Sequence, residues 1–154
     1  MLEAVYGFLT LKNGVPTGYV LISSLFNTAE IAYNVFDTYR VAESAFVYSR
    51  VLAMAQHVFG CDTIVVPPPQ LGHNNPEGLK SGAWWFYYKL KFRPHDADVR
   101  TILRGELKKM KRNPRHRSSI ATLNKLASEN MYRYLKKPRK DVLGEISLGD
   151  VGLR

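Results

Sequence analysis

Apolar and polar positions along the chain follow two periods, and the switch between them divides it. Ala4–Leu11 (AVYGFLTL) and Gly18–Phe26 (GYVLISSLF) are short, β-prone apolar runs. Asn13-Gly14 between them suits a tight hairpin, because both residue types tolerate positive φ. Glu30–Phe36 (EIAYNVF) alternates, with Ile31, Tyr33 and Val35 on one face and Ala32, Asn34 and Phe36 on the other. Asn27-Thr28-Ala29 is short enough to be a second hairpin loop, so a three-stranded antiparallel meander is predicted.

From Val41 to Phe59 the period becomes helical. Val41, Ala45, Tyr48, Leu52, Ala55 and Phe59 form one stripe, with Val47, Val51, Met54 and Val58 beside it. So broad an apolar surface suits a helix laid on a sheet and covered by something else. Gly60 is placed to cap it. Asp62–Val66 then reads as a short buried strand ended by Pro67-Pro68-Pro69, which cannot donate to a ladder. Strand, helix and strand together predict a right-handed βαβ unit with parallel strands.

A second helix is predicted over 75–90. Asn75 is an N-cap residue, Pro76 fits the first helical position, and Glu77 places a carboxylate in the first turn. The aromatic run Trp84–Tyr88 surrounds this helix, so more than one face must be covered. Arg93-Pro94 ends it, and Lys91–Arg93 is a candidate start for one further extended piece. A third helix, Asp96–Arg112, has acids at its start and bases at its end, the polarity its dipole favours. A fourth, capped by Ser119, is predicted to run to about Leu135. A flexible tail over 136–154 is expected.

Charge sharpens the division. The net charge is +9, yet residues 1–100 hold eight Lys/Arg and eight Asp/Glu. Residues 101–140 hold thirteen Lys/Arg against Glu106 and Glu129. This segment, with RNPRHRSS its densest piece, reads either as a solvated helical face or as a contact for a polyanion such as nucleic acid. Cys61 is the only cysteine, which excludes an internal disulfide or a cysteine metal cluster within one chain. The four histidines lack metal-ligand spacing, so no zinc site is expected. No apolar run reaches the roughly eighteen residues of a membrane span, and no secretion signal opens the sequence. A cytoplasmic protein is the expectation.

The strand, the turn with Arg40, the long helix, the next strand and then Asn75 and Tyr87-x-Lys89-Leu90-x-Phe92 resemble the C-terminal half of the GNAT acyltransferase fold, over about residues 18–93. The resemblance implies an acyl-CoA cofactor, acetyl-CoA or another. Arg40 matches the arginine of the family's pyrophosphate loop and Ala45 its final small residue. The main-chain donors of Val41, Ala42, Ser44 and Ala45 would then face the pyrophosphate, as free N–H groups at a helix start favour anions. Glu43 stands where the central glycine is expected, and Lys91 replaces the glycine of the family's Tyr-x-Lys-Leu-Gly-Phe signature. Tyr87 corresponds to the tyrosine that protonates the leaving thiolate.

Each of these residues also has a plain structural role. Tyr87 would fill the core, Asn75, which the resemblance also makes a cofactor-binding residue, would only cap its helix, and Arg40 would pair with Asp37 or Glu43. Gln70, His73, Asn74 and Glu77 form a polar cluster that either lines a pocket at a strand end or is a solvated loop. In the pocket reading, Glu77 or His73 is the base that deprotonates an amine.

The sequence therefore predicts an α/β (α+β) fold: a GNAT-like mixed sheet of about four strands in residues 1–95, a basic helical extension over 96–135, and the tail. The function it implies is direct acyl transfer to an amine of unspecified acceptor. The alternative is a GNAT-like module that has lost this chemistry and binds a partner, a polyanion among the candidates.

Overall fold

Asn13 and Gly14 take φ angles of 51° and 79°, and this turn folds β1 (Val5–Lys12) back on β2 (Val15–Leu25). The next turn is two residues, Phe26-Asn27, at φ 49° and 56°. β3 (Thr28–Val35) therefore starts two residues before the alternation suggested, with Leu25 paired to Thr28. The computed structural model describes residues 4–36, 44–139 and 141–146.

The remaining elements are α1 (Ser44–Phe59), β4 (Thr63–Val66), α2 (Pro68–Leu71), α3 (Pro76–Ser81), α4 (Ala83–Lys89), β5 (Arg93–Pro94), α5 (Ala97–Arg112), α6 (Ile120–Leu126) and β6 (Met131–Tyr134). The fold is mixed α/β, with hydrogen-bonded strand order β1-β2-β3-β4-β6-β5. Among the described residues six strands take part, against about four expected. No helix among the described residues is long and apolar enough to cross a membrane. Two compact units emerge, residues 1–65 with 133–154, and residues 66–132.

In the first unit, α1 packs on β2 and β3. It buries Tyr48, Val51, Leu52 and Ala55, a narrower stripe than the two predicted, and leaves Val58 exposed. Val20, Ile22 and Ile31 are wholly buried, while Phe59 receives Tyr6 and Phe8 at ring distances of 5.0 and 6.2 Å. Gly60, at φ 62°, donates to Gln56 O and closes α1. β4 then lies parallel to β3, completing the βαβ connection. That ladder has three pairs, Thr28–Thr63, Ala29–Ile64 and Glu30–Val65. β3 continues to Val35, whereas β4 stops at Val66 before the prolines.

The last part of the chain is held rather than loose over 133–139 and 141–146. Leu135 N–H donates to Asp62 O at 2.7 Å. Arg139 binds Asp62 and Asp141 at 3.1 Å each, Thr28 Oγ1 at 3.2 Å, and the carbonyl of Phe26. Val142 and Leu143 are buried.

In the second unit, the helix predicted over 75–90 is two helices. Gly82, at φ 70°, turns its N–H back to the carbonyls of Gly78 and Leu79, so α3 ends there and α4 starts as a separate helix at Ala83. α2 is an element the sequence reading missed. Prolines break a helix interior but fit its first turn, where the absent N–H has no partner to lose. The fourth helix ends at Leu126 instead of Leu135. Met131 and Tyr132 are both buried, and they pair with Pro94 and Arg93 as strand. Consecutive buried neighbours fit a ladder covered on both faces, not a one-sided helix.

Candidate functional site

The candidate residues in the second unit converge on the four-residue helix α2. Asn75 caps α3, its Oδ1 accepting from Gly78 N–H at 3.1 Å, while its Nδ2 donates to Pro69 O at 3.2 Å. One side chain thus closes the α2–α3 turn from both ends. Gly72 and Gly78 make that closure possible: a Cβ on Gly78 would lie 2.9 Å from the Gly72 Cα, and Gly72 itself has φ 109°. Glu77 is exposed in the first turn of α3, where its charge complements the helix dipole.

Tyr87 is 4% exposed. Its hydroxyl donates to Gln70 Oε1 at 3.4 Å, so α2 fixes the direction of the phenol. The other side of Tyr87 is fixed by the end of α4. Phe92 N–H donates to Tyr87 O and Lys91 N–H to Tyr88 O, both at 3.1 Å. These are the two bonds of a Schellman motif, with Lys91 in the left-handed position at φ 72°. The accompanying apolar contact is Phe92 against the Tyr87 ring, edge to face at 5.7 Å. Lys91 therefore adopts the backbone conformation that favours glycine, the residue expected there by resemblance.

The polar cluster after the prolines is also held in place. Asn74 N–H donates to Asn124 Oδ1 at 3.2 Å. His73 Nδ1 lies 3.3 Å from Asn124 O. A carbonyl only accepts, so that contact puts the proton on Nδ1 and leaves Nε2 the basic nitrogen of the neutral ring. The cluster thus supplies an imidazole lone pair, and through Gln70 it orients the Tyr87 phenol.

In the first unit, Ser44, the first described residue of α1, is half-buried, and Ala45 is exposed beside it. Arg40, Val41, Ala42 and Glu43 lie outside the described residues, as does the start predicted for this helix. Cys61 is buried, and burial pushes its thiol up to about 11. It is therefore a poor nucleophile at neutral pH. An open depression of about 890 Å³ is lined by Asp62, Leu135, Lys136, Lys137, Pro138 and Arg139; the Asp62–Arg139 pair in its wall is committed to internal bonds. No group of three or more His, Cys, Asp or Glu placed to hold a metal occurs among the described residues.

One cluster escaped the sequence reading. Glu106 is 2% exposed and accepts from Lys109 Nζ at 2.7 Å, His116 Nε2 at 2.9 Å and Ser118 Oγ at 2.5 Å. Trp85 Nε1 donates to the same Ser118 hydroxyl at 3.3 Å. Burial alone would raise the carboxyl; the bonds from Lys109, Ser118 and His116 outweigh it and hold the group at about 2. A signal was present. Glu106 falls on the helical register of Val99, Leu103 and Met110, an inward position that a carboxylate occupies only with partners.

No protein-family model, curated protein or solved structure matches the chain.

Proposed function

We propose that this protein is an acyl-CoA-dependent N-acyltransferase of the GNAT type. The observation that carries the reading is the Schellman turn after Tyr87. Lys91 holds the left-handed conformation at the glycine position of the Tyr-x-Lys-Leu-Gly-Phe signature, so the turn suits that signature despite the substituted residue. The short parallel ladder of β3 and β4 is a second support. β3 runs four residues past the end of β4, the arrangement expected of two strands that diverge to admit a ligand.

In this proposal Arg40 and the main-chain donors of Val41, Ala42, Ser44 and Ala45 hold the pyrophosphate of acetyl-CoA or another acyl-CoA. Charge-assisted hydrogen bonds of this kind are worth about 1.5–3 kcal/mol each. Asn75 positions the turn that presents Gln70 to Tyr87. An amine attacks the thioester carbonyl carbon, the C–S bond breaks, and Tyr87 gives its proton to the departing thiolate. The proton lost by the amine goes to Glu77 or to Nε2 of His73. The buried Cys61 thiol suits direct attack, with no acyl-cysteine intermediate.

Calorimetric titration with CoA and acetyl-CoA tests the proposal. Arg40→Ala is expected to weaken binding by about tenfold or more, the loss of one charge-assisted contact. Tyr87→Phe should leave binding intact and slow turnover. Absence of binding at millimolar cofactor would remove the acyltransferase reading.

A further inference from the structure

The basic excess belongs to one unit. Residues 66–132 carry thirteen Lys/Arg against five Asp/Glu, a balance of +8, whereas the rest of the chain is at +1. Within 99–128 the imbalance is sharper: nine Lys/Arg and one acid, Glu106. All nine cations are exposed, and that one acid is buried with its donors already in place. An ordinary solvated helix intersperses acids that pair with its bases three or four residues away. Between Val99 and Ser128 no carboxylate is exposed; the exposed acids of α5, Asp96 and Asp98, are confined to its N-cap and first turn.

The cations are also ordered. Arg100, Arg104, Lys108 and Arg112 recur every four residues along α5, about 6 Å apart on its axis, with Lys111 on the same side. None of these makes an ion pair with a described carboxylate. Beyond Arg112 the chain turns at Asn113-Pro114, and the Glu106 bonds to His116 and Ser118 hold the following loop against α5. Arg115 and Arg117 are therefore presented from a fixed backbone.

We propose that α5 and the 113–119 loop bind the phosphate backbone of double-stranded nucleic acid without reading its bases. A regularly spaced row of cations, winding gradually about the helix, matches a regular polyanion, and the arginines offer the fork that phosphate accepts. A single strand is the poorer fit, since residues 97–125 contain no Phe, Tyr or Trp on which bases could stack. A membrane surface is also the poorer fit. Ile120 is the one exposed large apolar side chain described in this unit, too little to insert beside the charges. This surface is independent of the acyl-CoA reading, and failure of either leaves the other standing.

The test is fluorescence anisotropy of a labelled duplex of about 20 base pairs against the whole chain, at about 50 to 200 mM salt. Binding at low salt is expected, with log K falling against log salt at a slope of about −5, the value for five or six neutralised phosphates. Combined substitution of Arg100, Arg104, Lys108 and Arg112 by Gln should flatten that slope by about 3 or more. These side chains are exposed, and circular dichroism checks that the fold is kept. Lys136→Gln with Lys137→Gln, in the other unit, should leave the slope unchanged. The proposal is overturned by no duplex binding at low salt, by an unaltered slope in the α5 variant, or by equal loss in the Lys136/Lys137 control. It is equally overturned by tighter binding to single strands than to duplex, or by binding to anionic vesicles but not to the duplex.

Discussion

Replacing Glu106 by Gln keeps its shape and removes its charge. The three donors aimed at the carboxylate would then face a neutral amide, one end of which is itself a donor. The stabilisation follows from the titration. A carboxyl lowered from 4.5 to about 2 by folding contributes about 3 kcal/mol at neutral pH, at about 1.36 kcal/mol per tenfold change. Lys109 is 61% exposed, so solvent screens its share, and about 2 kcal/mol is the working figure. The sign is fixed by the direction. With the folded value below the unfolded one, the contribution is complete above about pH 4.5 and disappears as pH falls towards 2. Urea unfolding of both proteins between pH 7 and pH 2 measures it, and taking the difference removes the titration of other carboxylates. A gap of about 2 kcal/mol at pH 7 that closes near pH 2 is expected. A gap under about 0.5 kcal/mol, or one that does not change with pH, would refute the reasoning.

Two further outcomes follow from the backbone and the tail. Lys91→Gly should raise stability by about 0.5–1 kcal/mol, because glycine takes the left-handed conformation without the Cβ penalty, although its unfolded state is freer. Thermal unfolding should shift up by about 2 °C, and a downward shift would mean that the Lys91 side chain makes a compensating contact. Arg139→Ala removes the ties to Asp62, Phe26 O and Thr28, at about 2 kcal/mol for a half-buried ion pair with hydrogen bonds. Amide exchange should then speed up across 133–139 and 141–146, and unchanged protection there would contradict the anchoring role.

What the sequence disclosed was local. Asn13-Gly14, Gly60, Asn75-Pro76, Asp96 and Ser119 each act on backbone groups within a few residues, and each does in the structure what its residue type suggests. Contacts made across long separations were not legible. Met131 and Tyr134 sit at positions that suit a helical stripe as well as a strand, and only pairing with Arg93–Pro94 decides between them. Arg139 reaches partners 77 to 113 residues away, which no charge pattern reveals. The triple proline read as a terminator because its strand-ending role hid its fitness for a first helical turn. Of the candidate site, the capping of Asn75 and the burial of Tyr87 were foreseen as alternatives. The Gln70 contact that orients the phenol was not, because it depends on α2. Residues 40–43 lie outside the described structure, so the pyrophosphate loop stands on the resemblance.

Amide chemical shifts of the labelled chain during addition of CoA test the central claim most directly. The account predicts saturable shifts at Val41, Ala42, Ser44 and Ala45 together with Ile31–Val35 of β3, and a marked weakening in Arg40→Ala. Shifts confined to α5 and the 113–119 loop would mean that CoA is merely another anion on the basic surface. That result, or none at millimolar cofactor, would contradict the account.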